Sequence, residues 1–213
     1  MHATLLVAHI STLTGGAYLV YPNRRWTTAA CAAGSRTTSR AKLGGVTSDI
    51  LPVGDRLDRI RALLSGLSGP LGNGEMHAWA NLGDAARMPP EVFDLIEGLG
   101  VLERWYPRVP VDVPETSAEL ADRLAEIDVD GAVHRLIGIA STTLAYGSRG
   151  RYDRAKAAEV FGSLVRILGH GSRWWSNTDG TSGWNPVTRH VFDAVVIGVG
   201  GGIVVTILVF DED

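Results

Sequence analysis

One stretch near the end of this chain limits what it can become. Residues 194 to 210 read AVVIGVGGGIVVTILVF, seventeen positions without a charge, with Asp193 before them and Asp211, Glu212 and Asp213 after. Such a run is either two buried β-strands joined by glycines or a short membrane-spanning tail. Ten of the seventeen residues are Val, Ile or Thr, stiff side chains that suit a pleated surface. Four glycines (Gly198, Gly200, Gly201 and Gly202) interrupt the middle. Each weakens a helix by roughly 1 kcal/mol relative to alanine, and the same residues supply the positive φ values of a hairpin turn. A bilayer also asks for about 20 residues rather than seventeen. The run is therefore read as a hairpin. Upstream tryptophans and Gly-x-x-x-Gly spacing are what the membrane alternative rests on.

The arms Ala194 to Ile197 and Ile203 to Ile207 are apolar on both faces apart from Thr206. Strands of that kind lie in the middle of a sheet with both sides covered. The centre of the chain offers the covers. Leu57, Ile60, Leu63, Leu64 and Leu67 mark one face of a helix from Asp55 to Leu67, and Gly69-Pro70 opens a loop reaching Gly74. Pro89-Pro90 starts a second helix with Phe93, Leu95, Ile96 and Leu99 inward. Thr116 and Glu119 have capping-box spacing for a third, through Ile127. Asp130 caps a fourth, and a fifth runs from Tyr152 to Leu168 before Gly169.

Before these helices, residues 3 to 10 and 17 to 21 read as strands. The expected fold is a single α+β domain over residues 1–213. Residues 1–53 are β-rich, 54–169 helical, and 170–213 a loop followed by the hairpin. N- and C-terminal strands form a mostly antiparallel sheet under four or five central helices.

Charge and cysteine usage narrow the function. Residues 1 to 48 hold Arg24, Arg25, Arg36, Arg40 and Lys42 and no acid, while the whole chain carries a formal net charge of −3. The sparse spacing of these cations points to solvated arginines rather than a nucleic-acid arm. Cys31 is the single cysteine, so an intramolecular disulfide and a multi-cysteine zinc site are both ruled out. Gly198-Val199-Gly200 begins like a dinucleotide fingerprint, but Ile203 stands at the sixth position and a strand follows. No metalloprotease, Cys-x-x-Cys or nucleophile-elbow motif is present. No cofactor or metal is expected.

The most unusual polar segment is His170 to His190, HGSRWWSNTDGTSGWNPVTRH. Tryptophan is costly to leave exposed, and Trp with Arg is typical of binding hot spots. Arg173, Trp174, Trp175, Asp179 and Trp184 are therefore candidate partner contacts. Asp193, Asp211, Glu212 and Asp213 are added as an acidic lip at one end of the hairpin, facing a basic partner. His170 and His190 are the alternative acid–base pair, with Asp179 to orient one of them.

These features predict a soluble, bacterial-type cytoplasmic protein that binds another protein, more a binder than an enzyme. An immunity protein or antitoxin that neutralises a basic toxin or nuclease by occlusion would have this character. One alternative is a hydrolase or transferase of unfamiliar type, with its pocket around His170, Trp174, Asp179 and His190. Another is a subunit of a larger assembly or a tail-anchored membrane protein.

Overall fold

A computed structural model of the chain describes residues 51–102, 112–178 and 184–212, all within the unit Gly44–Asp213. The strands proposed before residue 50, Cys31 and the early cations lie outside the described residues. The elements run α1 (Val53–Leu64), β1 (Gly69–Leu71), β2 (Gly74–Leu82), α2 (Met88–Gly98), α3 (Ser117–Arg123), β3 (Ala125–Ile127), α4 (Val129–Ser141), α5 (Arg154–Leu168), β4 (Arg173–Ser176), β5 (Phe192–Gly200) and β6 (Ile203–Asp211). The strands form one antiparallel sheet in the order β1-β2-β6-β5-β4-β3. The fold is of the α+β class.

The apolar run is the hairpin that its glycines predict. Gly200 pairs with Ile203, leaving Gly201 and Gly202 as the loop, with φ of 55° and 80°. Two positive φ values in a two-residue loop match the twist of the flanking strands. β5 and β6 occupy the centre of the six-stranded sheet, and almost every residue in both is buried. Among the described residues, no helix is long and apolar enough to cross a membrane.

Period-2 alternation divides these strands between two covers. Ala194, Val196, Ile203, Val205, Ile207 and Val209 pack with Leu57, Ile60 and Leu64 of α1, Leu136 of α4 and Phe161 and Leu164 of α5. On the opposite face, Val195, Ile197, Val199, Val204, Leu208 and Phe210 pack with Val92 and Ile96 of α2 and Leu120 of α3. Each fully buried aliphatic side chain contributes about 1.5–3 kcal/mol relative to exposure.

Three local expectations are corrected. The loop read from Gly69 to Gly74 is instead the β1–β2 hairpin, with Leu71 paired to Gly74. β2 is hard to read from sequence because Glu75, Ala78, Ala80 and Asn81 are weak strand formers. The third helix ends at Arg123 rather than Ile127, because Ala125–Ile127 pair with β4. Its cap is as expected, Thr116 Oγ1 accepting from Glu119 N at 3.2 Å. The fourth helix is capped by Asp128 rather than Asp130, through Gly131 N at 2.6 Å.

The sheet edges are short or blocked. β1 and β3 have three residues each. Beyond β1, the outer side of β2 meets α1 and the segment after it. Arg61 Nε donates to Ala80 O at 3.0 Å, and Ala78 N donates to Ser68 Oγ at 3.0 Å. Such capping is a usual defence of an edge strand.

Trp174 shows how closely the sheet and helices approach. It lies 1% exposed on the α1/α4/α5 side, and a Cβ at Gly198 would stand 2.5 Å from its ring. Gly198→Ala is expected to destabilise the fold by about 1–3 kcal/mol through overpacking. A urea midpoint that falls with an unchanged slope would show this; an unmoved midpoint would contradict it.

Candidate functional site

The register of β5 on β6 sets the site. Asp193 pairs with Phe210 and Phe192 with Asp211. Asp193 and Phe210 therefore share the α2/α3 side, while Asp211 points to the other.

Asp193 is 3% exposed, and five hydrogen bonds converge on its carboxylate. Oδ1 accepts from Asn177 Nδ2 at 2.7 Å and from Trp184 Nε1 at 2.9 Å. Oδ2 accepts from Val187 N at 2.9 Å, Thr188 N at 2.6 Å and Thr188 Oγ1 at 2.9 Å. Asn177 is itself fixed, donating to Asn185 O at 3.0 Å and accepting from Val195 N at 2.8 Å. One buried carboxylate at the start of β5 thus ties in the segment 184–188 and, through Asn177, the residue that follows β4. Burial pushes the Asp193 carboxyl above the ordinary aspartate range, against the pull of the Thr188, Val187 and Trp184 donors. When the carboxyl takes up a proton, the Thr188 hydroxyl is the partner that can reverse and accept it.

Trp184 is the exposed product of this network. Its indole N–H also reaches Asp193 O at 2.8 Å, yet the residue is 41% exposed. The adjacent residues meet α3. Arg123 Nη1 donates to Pro186 O at 2.8 Å and to Asp112 O at 2.6 Å, and Arg123 Nη2 to Asp112 Oδ2 at 3.0 Å. Arg123 also borders a shallow groove lined by Asp112, Val113, Glu115, Glu119 and Asp122. Four carboxylates face one guanidinium there.

Next to Asp193 lies an aromatic and titratable row. His190 Nδ1 bonds Glu212 Oε1, and its ring stacks on Phe210 with centroids 4.1 Å apart. Phe210 also stacks with His77 at 5.6 Å, which bonds Glu75 Oε2 at 2.8 Å. Among the described residues, no group of three or more His, Cys, Asp or Glu is placed to hold a metal ion.

The predicted contacts divide sharply. Trp174, Asp193 and Asp211 are buried and do not form a surface for a partner. Trp174 fills the core beside Gly198. The acidic lip fails because alternation sends Asp193 and Asp211 to opposite faces, where each is held by hydrogen bonds. Asp211 Oδ2 accepts from Ala145 N at 3.1 Å. Glu212 is engaged with His190. Arg173 is exposed, pairs with Glu126 at 2.7 Å and lies 4.9 Å above the half-buried Trp175 ring. This bond holds the Glu126 carboxyl below its usual range. Asp179 and Asp213 lie outside the described residues.

His170 and His190 do not meet. His190 precedes the first residue of β5, whereas His170 precedes β4, whose Arg173 pairs with Val199 near the other end of β5. Asn177, Thr188 and Arg123 carry the network without having been singled out. Asn177 lies 16 residues from Asp193 and Arg123 lies 63 from Pro186, so folding of the sheet brings them in, whereas Thr188 is only five residues from Asp193.

Comparison with protein-family models, with curated proteins and with solved structures finds no significant match to this chain.

Asp193→Ala leaves Val187 N, Thr188 N and the Thr188 hydroxyl without this acceptor, while Trp184 Nε1 keeps Asp193 O and Asn177 Nδ2 keeps Asn185 O, and is expected to cost about 3 kcal/mol or more. It should also loosen Trp184, whose indole would keep only the backbone acceptor Asp193 O, read as increased quenching of its fluorescence by acrylamide. The pH dependence has a definite sign. A raised carboxyl pKa makes the folded state hold the proton more firmly than the unfolded one. The Asp193 contribution is thus complete below the ordinary value of 3.8 and is lost as pH rises through the raised value. Stability against pH, compared with Asp193→Asn, should show that downward slope in the wild-type chain alone.

Proposed function

We propose that this chain acts by binding another protein, with Trp184 as the anchor of the contact. One observation carries the reading: an exposed tryptophan is held rigid by a buried carboxylate. An aromatic fixed before the encounter loses little conformational freedom on binding, and Trp is enriched among the residues that dominate interfaces. The groove beside it supplies the electrostatic half. Its carboxylates favour a basic partner and speed the encounter. Occlusion of a basic toxin or nuclease, in the manner of an immunity protein or antitoxin, is the form of binding this surface suits. The exposed Arg173 over the half-buried Trp175 adds a second pair on the β3–β4 margin.

A second reading rests on His190. Its imidazole is oriented by Glu212 and stacked on Phe210, which suits an acid–base role without His170. A hydrolase or transferase of this kind would lose its activity in His190→Gln.

Capture from the native host, with the full chain as bait, separates the two. A basic partner should be retained at low salt and released as salt rises. Trp184→Ala should weaken its binding by about thirtyfold or more, the loss of roughly 2 kcal/mol expected of an interface anchor. Asp122→Lys should slow association. A partner held equally by all three chains, or no specific partner at all, would refute the binding role.

A further inference from the structure

Along the outer edge of β2, two side chains take over where β1 stops. β1 pairs only with Gly74–Met76. Farther on, Ala78 N donates to Ser68 Oγ at 3.0 Å and Arg61 Nε donates to Ala80 O at 3.0 Å. In an antiparallel strand the N–H and C=O of one residue point to the same side. Ala78 O and Ala80 N–H therefore also face outward, between the two anchors. Among the described residues, neither has a hydrogen-bond partner. Ala80 is only 5% exposed, and a backbone donor at that depth is normally paired, so an unpaired one calls for an explanation.

These groups border a recess of about 300 Å³, lined by Arg61, Leu64, Ser65, Ser68, Ala78 and Ala80. Such a volume is at the lower end of what holds a small ligand. Arg61 and Ser68 stand across the ladder and bar another strand, but a small molecule fits between them.

The polar groups of the recess fall into two halves of opposite sign. Arg61 lies in the last turn of α1 and is exposed. With Nε fixed on Ala80 O, its planar guanidinium is held beside the Ala80 N–H. Among the described residues, no carboxylate pairs with it, and neither Nη has a partner. A guanidinium and an amide N–H side by side are donors for a carboxylate. The other half is negative. Ala78 O is an unpaired acceptor, and α1 ends at Leu64 with Ser65 as its C-cap. Both residues line the recess, so the partial negative charge of the last helical carbonyls lies at its wall. That half suits an ammonium group.

We propose that this recess binds a free α-amino acid. The carboxylate takes hydrogen bonds from Ala80 N–H and the Arg61 guanidinium, the ammonium group donates to Ala78 O at the end of α1, and Leu64 gives an apolar side chain its wall. The recess lies on the outer side of β2, with β6 between that strand and β5, and does not depend on the binding role of Trp184.

Titration of the full chain with L-leucine, leucinamide and N-acetyl-leucine, at constant ionic strength, tests the proposal by amide NMR. Leucine should give saturable shifts at Ala78, Ala80 and Asn81, half complete at about 1 mM, as suits a ligand of so few atoms. Leucinamide lacks the carboxylate and N-acetyl-leucine lacks the ammonium group, so each should bind about tenfold more weakly or worse. Arg61→Gln should weaken leucine binding by about tenfold, as loss of a charge-assisted contact implies. If Arg61→Gln fails to fold, the three ligands on the wild-type chain decide. No saturable shift at Ala80, a derivative that binds as tightly as leucine, or a folded Arg61→Gln chain with undiminished affinity would overturn the site.

Discussion

Two central strands that are apolar on both sides require two covers, and the rest of this fold answers that requirement. β5 and β6 leave neither face fit for water. Three helices close one side and two close the other. The glycine pair at the turn makes this possible, because it lets seventeen uncharged residues fold back within the sheet instead of continuing as one rod. Hydrophobic burial then has a fixed geometry. The register that pairs Gly200 with Ile203 also decides which side of the molecule every later side chain reaches.

That same register separates the acids at the strand ends. A hairpin that brings both strand ends together suggests a shared acidic surface, but a one-residue step along a strand reverses the face. Asp193 is drawn into a network of neutral donors, while Asp211 is held by backbone N–H groups on the other side. Neither relies on a cation. The carboxylate of Asp193 behaves as an internal fastener whose effect emerges at the surface, where the indole it grips stands in solvent.

The hairpin and its central position were legible because β-branching, glycine and the absence of charge all agree over one run. Helices with a clear apolar stripe were legible for the same reason, to within a few residues at their ends. β2 was not, since Ala78 and Ala80 carry little strand preference and Gly69-Pro70 resembles a turn. Pairing with β6 overrides both signals. Of the candidate site, Trp184 and His190 were visible by residue type alone. Their partners were not, because Asn177 and Glu212 are brought in by strand pairing across the sheet rather than by spacing. Arg123 was still less visible, as its role depends on carbonyl groups that any sequence possesses.

The guarded margins of the sheet bear on how such a molecule meets others. Two outer strands of three residues offer little backbone to a newcomer, and Arg61 and Ser68 already occupy what β2 would otherwise present. Association by lengthening the sheet, whether with a foreign peptide or with another copy, is thereby discouraged. Recognition is left to side chains, which can distinguish one partner from another in a way that a bare ladder of amides does not.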